Sequence, residues 1–342
     1  MAFHTFMKAN LDSAVIECGI GGEYDSTNII EEPLTTGVTS LGIDHEGLLG
    51  RTIEEIAWHK AGIFKRRVPA FTVPQSKDAE AVLYSRAKER GTELNVVTEH
   101  TALKDIKLGI KGPVQRINAS LAIAVAASHL SQMGHRDVPD PLDNISNLPP
   151  KFVKGLEKAR LGGRCDKRSD AKVPNLTWFL DGGHTRESIE LAGRWFAASR
   201  SPNALQVLIF NQQTRDARAL ARQLRDSLDK AMGRAHVFDI AIFCPNVTYE
   251  NAGYKADLIS INVSQDDVDS LRVQREMAEA CKEINPETKP IVCGTIEEAV
   301  ARVRKLAGRD TREVDVLVTG SLHLVGGLIE VVEAEVEREE ML

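Results

Sequence analysis

Short apolar and β-branched runs alternate with helical patterns along this 342-residue sequence, and this alternation constrains the fold more than any other feature. Continuous apolar runs are typical of strands in parallel sheets whose two faces are covered by helices. The sequence therefore predicts an α/β protein. The predicted strands are 13–18, 36–41, 69–73, 176–181, 206–210, 237–243 and 314–319, and the predicted helices are 51–65, 77–90, 115–133, 184–199, 215–231, 266–283, 295–307 and 321–337.

A stretch rich in Pro, Asp and Asn, SQMGHRDVPDPLDNISNLPPKF, separates the two series of elements. The charged, glycine-containing stretch EKARLGGRCDKRSD follows it. A single hydrophobic core stops growing efficiently at a few hundred residues. We therefore predict two domains, residues 1–158 and residues 159–342.

The composition excludes several classes of protein. Charged residues make up 27% of the chain and the net charge is -6, with both signs interspersed, so the basic stripe of a nucleic-acid binder is missing. The five cysteines are scattered without a CxxC pair, which argues against a zinc site or a disulfide framework. No apolar run approaches the roughly 20 residues of a membrane helix. We expect a cytoplasmic protein, with a mitochondrial form as the alternative.

Two polar clusters follow predicted strands of the first half, where open α/β sheets bind their ligands. In IECGIGGEYDSTN, Glu17 ends a predicted strand, and a buried carboxylate must be paired or bind a cation. The alternative is a glycine-rich turn with a salt-bridged Glu17. The dinucleotide fingerprint GxGxxG is absent, which disfavours a nicotinamide oxidoreductase. In TSLGIDHEGLLG, His45 after Asp44 is either a cation ligand or a histidine hydrogen-bonded at a strand end.

Two further clusters lie on or beside helices. In TIEEIAWHKAGIFK, Lys60 falls among apolar positions, so it is either a partly buried reactive amine or a lysine whose stem covers apolar surface. In LDGGHTRESIE, Asp181 and His184 flank two glycines before a helix. This arrangement suits an anion or a nucleotide phosphate, and the alternative is helix capping by Asp181 or Thr185.

In this order, the clusters resemble the Mur ligase superfamily and, within it, the folylpolyglutamate synthases of the eukaryotic type. The matching stretches are IECGIGGEYDSTNII, GVTSLGIDHEGLLGRTIEEIAWHKAGIFK, PAFTVPQ, GPVQRINASLAIA, GGR, FLDGGHTRESIE, LIFNQQTRD and VTGSLHLVGG. The resemblance covers nearly the whole chain. It implies an incomplete Mur-ligase central ATPase domain, a mostly parallel sheet with helices, followed by a Rossmann-like α/β C-terminal domain.

The resemblance also implies a reaction and its partners. ATP would phosphorylate the terminal carboxylate of a folate, and the amine of L-glutamate would attack the resulting acyl phosphate. The implied substrates are ATP, tetrahydrofolate with its polyglutamates, and L-glutamate. The implied cofactor is Mg²⁺, and a monomer without nucleic-acid or membrane partners is expected. Dihydrofolate synthase activity is an alternative, although TIEEIAWHKAGIFK and LIFNQQTRD favour the polyglutamylating branch.

The family's functional residues transfer to matching positions of this chain. Glu17 would be a ligand of Mg²⁺ near the γ-phosphate and His45 a ligand of a second Mg²⁺, and Lys60 would carry a carbamate whose negative charge helps order that second metal. The nucleotide would be contacted by Asn118, next to the motif residue Gln115, and by Arg164 and Asp181. His184 would face the reacting centre together with Asp181 and Lys60. Ser321 and His323 would line the glutamate side.

The chain departs from the family in one respect. Family members carry a P-loop with GKS or GKT before the IECGIGG strand, and this sequence contains no Gly-Lys dipeptide. Met1 falls inside the helix expected to precede that strand, so a truncated gene model is the expected explanation. A P-loop supplies backbone N–H groups and a lysine charge to the phosphates. We therefore expect little ligase activity from this polypeptide, and a catalytically inactive folate-binding or fragmentary paralogue is the remaining alternative.

Overall fold

The computed structural model describes residues 2–112, 114–211, 238–250 and 270–340, together with positions 219, 222, 225, 226, 229 and 230. The chain divides into two compact units. Unit 1 is Met1–Leu108 with Val114–Glu157, and unit 2 is Gly109–Pro113 with Lys158–Leu342. Across the described ranges, no helix is both long enough and apolar enough to cross a membrane.

Unit 1 is built on a parallel sheet with the order β1–β2–β3 among the described residues. Its strands are β1 Thr36–Val38, β2 Ala70–Thr72 and β3 Leu94–Val96, and the helices up to the unit boundary are α1 Ala2–Lys8, α2 Glu46–Leu49, α3 Ile53–Lys60, α4 Lys77–Arg90, α5 Gln115–Gln132 and α6 Pro150–Lys158. The predicted helices at 51–65, 77–90 and 115–133 are confirmed, the first of them as α3 and a short 3-10 helix, Ala61–Ile63.

Side chains of β2 alternate between two helical layers, as the two-residue period of a strand requires. Ala70 packs in a cluster with residues of α3 and α4, including Ala57 and Leu83. Phe71 packs on the opposite face with Leu121 of α5. The sheet of unit 1 is therefore covered on both faces, as predicted for a parallel sheet.

The predicted strand at residues 13–18 is wrong, because the segment forms no strand in the structure. The side chain of Val15 is 100% exposed, so the apolar residues of this run do not enter a core. The hydroxyl of Ser13 lies 2.8 Å from Nε2 of His129, at the end of α5. A strand needs a neighbour for its backbone hydrogen bonds, and no described strand pairs with this segment.

Unit 2 contains a mostly parallel sheet with the order β4–β5–β9–β6–β7–β8 among the described residues. Its strands are β4 Asp166–Ser169, β5 Leu176–Leu180, β6 Leu205–Phe210, β7 Ile240–Phe243, β8 Lys289–Val292 and β9 Val314–Thr319, and its helices are α7 Arg186–Ser199, α8 Arg272–Ile284, α9 Ile296–Ala307 and α10 Leu322–Glu340. Only β4, which pairs with β5, runs antiparallel among these strands.

Two apolar clusters cover the two faces of this sheet. Trp178 of β5 packs with α9 and α10 on one face, and the next residue, Phe179, packs with α7 and α8 on the other. The predicted strands at 176–181, 206–210, 237–243 and 314–319 are confirmed within one to three residues. Most of the predicted helix at 215–231, and the beginning of the one at 266–283, lie outside the described residues.

Stability of unit 1 should depend on the protonation of His100, a buried residue at the start of a 3-10 helix. Burial lowers the pKa of His100 below its ordinary value, and the charge of Asp143 opposes this shift only in part. Nδ1 of His100 also accepts the N–H of Ala102 at 3.2 Å, which protonation at Nδ1 would prevent. The fold therefore favours the neutral imidazole.

Because the unfolded chain takes up this proton more readily, the contribution of His100 to stability is complete above about pH 6.5 and is lost as the pH falls below it. Urea unfolding at pH 7.5 and pH 5.5 should show a larger loss of stability on acidification for the wild type than for His100→Gln. Equal losses in the two proteins would contradict the prediction.

Candidate active site

The burial argument for Glu17 is wrong, because its side chain is exposed and residues 13–18 form no strand. The next residue, Cys18, accepts a long hydrogen bond of 3.5 Å from the hydroxyl of Thr27. An exposed carboxylate stays hydrated and needs neither an ion pair nor a cation. The role of Glu17 as a metal ligand therefore stays a prediction.

The ion-paired, partly buried carboxylate of the GIGGE segment is Glu23, which the sequence analysis did not identify. Its side chain pairs with Arg86 and Arg90, which are four residues apart on α4. Its backbone N–H donates to the carbonyl of His59 at 2.7 Å. A Cβ on Gly62 would lie 2.3 Å from Cα of Glu23, so this close contact requires glycine. The signal available in the sequence was a pair of arginines four residues apart, because this spacing places both side chains on one face of a helix that also packs against the core.

The sequence placed His45 directly after a strand, but β1 ends at Val38 and His45 lies in the following loop. His45 has left-handed backbone angles (φ 52°, ψ 39°), and its half-exposed ring lies 3.9 Å from the Asp44 carboxylate. The loop is held by Gln75, whose Nε2 donates to the carbonyl of Thr39 at 2.9 Å and whose Oε1 accepts the N–H of Leu41 at 3.0 Å. Gln75 thus positions the segment that leads to His45.

Lys60 is the last residue of α3, and its side chain is half-buried. Its carbonyl would lie 2.9 Å from a Cβ on Gly22, so the glycine loop closes on the end of this helix. On α5, the amide of Asn118 donates to Oε1 of Gln115 at 3.3 Å. Unit 1 therefore holds Lys60 beside the GIGGE loop, and places Asn118 on the first turn of another helix.

Unit 1 also has an open cavity of about 470 Å³ between α2, α3 and α4. Leu48, Trp58, His59 and Val82 contribute to its lining. The guanidinium of Arg86 lies 4.5 Å from the centre of the Trp58 ring. None of the site residues predicted from the sequence lines this cavity.

Within the described ranges, no three His, Cys, Asp or Glu side chains lie close enough to hold a metal ion. Mg²⁺ is commonly held by one or two carboxylates with substrate phosphates and waters, and seldom by protein ligands alone. The exposed carboxylate of Glu17 is an oxygen ligand of the kind that Mg²⁺ arriving with a nucleotide would take, whereas the imidazole nitrogen of His45 is not, so the assignment of His45 to a metal stays a prediction. They do not suit a metal held by the protein alone.

Asp181 follows β5 in unit 2 and is 7% exposed. Its carboxylate accepts the N–H of Cys165 at 2.9 Å and the N–H of Gly183 at 3.0 Å. Burial raises the pKa of Asp181, although the N–H of Cys165, the positive charge of Arg164 and the N–H of Gly183 each lower it. Burial and the carboxylate of Asp181 raise the pKa of the Cys165 thiol. Arg164 therefore lies near enough to Asp181 for its charge to favour the ionised carboxylate, and the roles of both residues toward a nucleotide stay predictions.

His184 lies three residues after Asp181, with Nδ1 3.2 Å from the carbonyl of Gly182. The helix that follows is capped by Thr185, which forms a capping box with Ser188. The capping alternative is thus confirmed for Thr185, while the Asp181 carboxylate accepts from the loop before the helix. Asp181 and His184 therefore lie in the loop just before α7, and Thr185, not either of them, caps the helix.

The loop after β9 packs against the loop that contains Asp181. The N–H of Gly320 donates to the carbonyl of Gly183 at 2.9 Å, and a Cβ on Gly182 would lie 2.2 Å from the side chain of Leu322. Ser321 is half-buried in this second loop, and His323 is exposed in the first turn of α10. Arg164, Asp181, His184 and Ser321 therefore lie on neighbouring loops of unit 2, and His323 follows Ser321 on α10.

The sequence analysis missed two amides at the same edge of this sheet. Asn211 follows β6 and is 0% exposed, and Asn246 lies shortly after β7. Their side chains share a hydrogen bond of 2.9 Å. The available signal was an asparagine immediately after a fully apolar strand in LIFNQQTRD, since a polar group there must be satisfied by another polar group.

No family model matches the chain. Over 332 residues it is 42% identical to folylpolyglutamate synthases from Saccharomyces cerevisiae strains FostersO and AWRI796. These alignments cover 96% of this chain and 59% of each relative. The chain therefore spans about three fifths of the length of the curated relatives it matches.

Two solved structures show the same fold at 22% sequence identity. One is Mycobacterium tuberculosis folylpolyglutamate synthase complexed with ADP, with a TM-score of 0.66 over 97% of this chain and 70% of that one. The other is E. coli FolC in complex with DHPP and ADP, with a TM-score of 0.63 over 96% and 68%. They confirm the predicted α/β fold of the Mur-ligase type.

Proposed function

We propose that the chain belongs to the folylpolyglutamate synthase family, since it is 42% identical to such enzymes over 332 residues, and that its protein is an ATP-dependent, glutamate-adding ligase. The proposed acceptors are tetrahydrofolate and its polyglutamates, which receive L-glutamate on their γ-carboxylate. Identity of 42% over 96% of the chain supports this proposal. The structural observation that carries it is the buried carboxylate of Asp181, fixed by two backbone N–H groups beside Arg164.

The proposed chemistry begins by converting a carboxylate into a better acylating group. The folate carboxylate attacks the γ-phosphorus of ATP, forming an acyl phosphate and releasing ADP. The amine of L-glutamate attacks the acyl carbon and loses a proton, phosphate leaves, and an amide forms. Phosphoryl transfer depends mainly on positioning and charge stabilisation, so the protein needs fixed cationic and N–H groups more than a nucleophile.

In the proposed reaction, residues of unit 2 would contact the nucleotide and the reacting groups. Arg164 supplies a positive charge for phosphate oxygens, and Asp181 holds the loop between β5 and α7 through its bonds to backbone N–H groups. His184 stands at the beginning of α7, where the helix dipole favours anions. Ser321 and His323 are the proposed contacts on the glutamate side.

In unit 1, we assign Asn118 to the nucleotide, and Glu17 and His45 to Mg²⁺ bound with it. When bound, Mg²⁺ neutralises charge on the phosphate oxygens. The Lys60 amine would add to the carbon of CO2 and release a proton, which gives a carbamate anion. An NMR signal from ¹³C-labelled CO2 that disappears in Lys60→Ala would support this modification, and an unchanged signal would contradict it.

The proposed compartment is the cytoplasm, where thiols stay reduced. Cys18, Cys165, Cys244, Cys281 and Cys293 are free thiols in the structure, which supports a reducing environment. The protein is proposed to act as a monomer on small-molecule substrates.

We expect the 342-residue polypeptide to bind Mg-ATP weakly and to have little ligase activity. The reason is that it contains no Gly-Lys dipeptide, and hence no P-loop lysine for the β- and γ-phosphates. Isothermal titration with Mg-ATP measures this directly. A dissociation constant in the micromolar range would refute the expectation without affecting the family assignment.

The proposed function is tested in a chimaera that supplies the remaining length of the enzyme. The 332 aligned residues replace their counterparts in the Saccharomyces cerevisiae relative, and ATP-dependent transfer of labelled glutamate to tetrahydrofolate is measured. We expect activity that Asp181→Ala lowers at least about a hundredfold, comparable to removal of a single transition-state contact in other enzymes. A folded chimaera that transfers no glutamate, or that prefers dihydropteroate, would overturn the proposal.

A further inference from the structure

The GIGGE loop and the residues just after it are joined to the end of α3 by hydrogen bonds on both sides of Lys60. The N–H of Glu23 donates to the carbonyl of His59 at 2.7 Å. Nδ2 of Asn28 donates to the carbonyl of Gly62 at 3.2 Å and to that of Glu23 at 3.1 Å. Lys60, the last residue of α3, therefore lies between two backbone positions that this region holds.

The orientation of the Asn28 amide is fixed by its partners. Both of them are carbonyl oxygens, which only accept, so the amide nitrogen and not the amide oxygen must face them. Turning the amide over would place oxygen against oxygen in both contacts. The backbone carbonyl of Asn28 also accepts a hydrogen bond from Nζ of Lys65 at 3.3 Å. Asn28 therefore makes two hydrogen bonds to the segment that follows Lys60.

Asn28 is itself held in place by the short 3-10 helix Ser26–Ile29, to which it belongs. The carboxylate of Asp25 caps this helix, because it accepts the N–H of Thr27 at 2.9 Å. The same carboxylate accepts the N–H of Ile20 at 2.9 Å, and the N–H of Asn28 donates to the carbonyl of Asp25 at 2.9 Å. These local bonds fix the backbone from which the Asn28 side chain reaches Gly62.

The end of α3 and the GIGGE loop are also in direct contact. A Cβ on Gly22 would lie 2.7 Å from the carbonyl oxygen of His59 and 2.9 Å from that of Lys60. Carbonyls at the C-terminal end of a helix have no partner within the helix, so donors from elsewhere hold the last turn. Without Asn28, the carbonyl of Gly62 would lose its side-chain donor.

The position of the Lys60 amine depends on this arrangement of the backbone. The side chain of Lys60 is half-buried, and no carboxylate among the described residues forms an ion pair with it. Since no ion pair anchors the amine, the backbone on either side of Lys60 determines where the amine lies. Asn28 holds this backbone at Gly62, two residues further along the chain.

We propose that Asn28 is a positioning residue for the Lys60 amine, which it holds in place by joining the GIGGE loop to the turn after α3. The carbamate on Lys60 rests on the proposed function, whereas the placement of the amine does not. A carbamate is an anion, and an anion in a half-buried place requires donors or cations at fixed positions. Loss of the Asn28 bonds should therefore weaken carbamate formation as well as move the amine.

Two substitutions break the bonds of the Asn28 side chain in different ways. Asn28→Asp keeps the shape of the side chain, but at about pH 8 its carboxylate is ionised and only accepts, so it repels both carbonyls. Asn28→Ala removes the donors without adding a charge. A positioning role predicts that both variants displace the Lys60 amine. If Asn28→Asp does not fold, Asn28→Ala carries the test.

The first measurement follows the carbamate by NMR with ¹³C-labelled CO2 in the 342-residue polypeptide, and Lys60→Ala identifies the signal. The equilibrium constant for carbamate formation should be about tenfold lower in Asn28→Ala, as expected when displacement costs the anion one hydrogen bond. A carbamate signal of full intensity in the Asn28 variants would overturn the proposal and leave the proposed function intact.

The second measurement does not require the carbamate. Lysine amines are reductively methylated with ¹³C-labelled formaldehyde, and the signal of Lys60 is followed by NMR without CO2. The Lys60 signal should lie apart from those of exposed lysines in the wild type and move toward them in the Asn28 variants. Such movement in a protein that forms no carbamate would support the placement and refute only the carbamate of the proposed function. A Lys60 signal that neither variant moves would overturn the proposal.

Gln132→Ala is the matched control, because Gln132 is another amide of unit 1 that donates to two carbonyls. Nε2 of Gln132, on α5, donates to the carbonyl of Leu34 at 2.6 Å and to that of Ser128 at 3.3 Å. Gln132→Ala and Asn28→Ala should both lower thermal stability, but only Asn28→Ala should change the Lys60 signals. Equal changes in the two variants would show that general destabilisation moves Lys60, and would overturn the proposal.

Discussion

Replacing Glu23 by alanine is expected to lower the free energy of unfolding of unit 1 by about 3 kcal/mol, because it leaves the buried guanidinium of Arg86 with only the exposed carboxylate of Glu89. The side chain of Arg86 is 5% exposed and that of Glu23 is 17% exposed, so water replaces little of the lost interaction. Arg90, the second partner, is 32% exposed and can be hydrated in part. Urea unfolding followed by circular dichroism measures the change.

Glu89→Ala provides a matched control for the same arginine. Glu89 pairs with Arg86 at 2.6 Å, three residues along α4, but its side chain is 59% exposed. Exposed ion pairs contribute less than about 1 kcal/mol, so Glu89→Ala should change stability only slightly. Equal effects of the two substitutions would show that the lower exposure of Glu23 is not what makes its ion pairs important.

Replacing Gly320 by alanine is expected to destabilise unit 2 by about 3 kcal/mol, through backbone strain and a steric clash together. Gly320 has φ 102°, a conformation that L-residues rarely adopt. A Cβ there would lie 2.5 Å from the carbonyl oxygen of Asn211 and 2.7 Å from the ring of Phe210. Neither contact can be relieved by moving the end of a flexible side chain.

Gly326→Ala, a substitution on the helix that follows Gly320, should change the stability in the opposite direction to Gly320→Ala. Gly326 lies within α10, and a Cβ there meets nothing within 4 Å. Alanine stabilises a helix by about 1 kcal/mol relative to glycine, so this variant should be more stable than the wild type. Thermal unfolding of the two variants gives the comparison. A stable Gly320→Ala protein would mean that the loop after β9 can rearrange, and that Ser321 is less firmly placed than the structure indicates.

Local patterns predicted most helices and the central strands of both units. The capping boxes of Thr52 and Thr185 and the left-handed Gly91 mark helix ends through contacts within a few residues. Strand β4 was not predicted, because its alternating half-buried and exposed polar residues resemble a loop. It is a strand because its backbone pairs with β5. Conversely, residues 13–18 have a strand's composition but no described neighbour.

The sequence by itself determined the fold class and the order of the elements, because these depend on local patterning, and its motifs of adjacent residues indicated a family. It also placed Asp181 and His184 before a helix, because this position can be inferred from adjacent residues alone. Only the tertiary structure decided which carboxylate of the glycine-rich segment is partly buried and ion-paired. Glu23 meets Arg86 across 63 positions of sequence.

The same holds for Asn211, Asn246 and Ser321, which meet only because β6, β7 and β9 lie side by side in one sheet. The physical reason is that burial and hydrogen-bond direction depend on neighbours distant in sequence, whereas helix caps and strand patterns depend on neighbours along the chain.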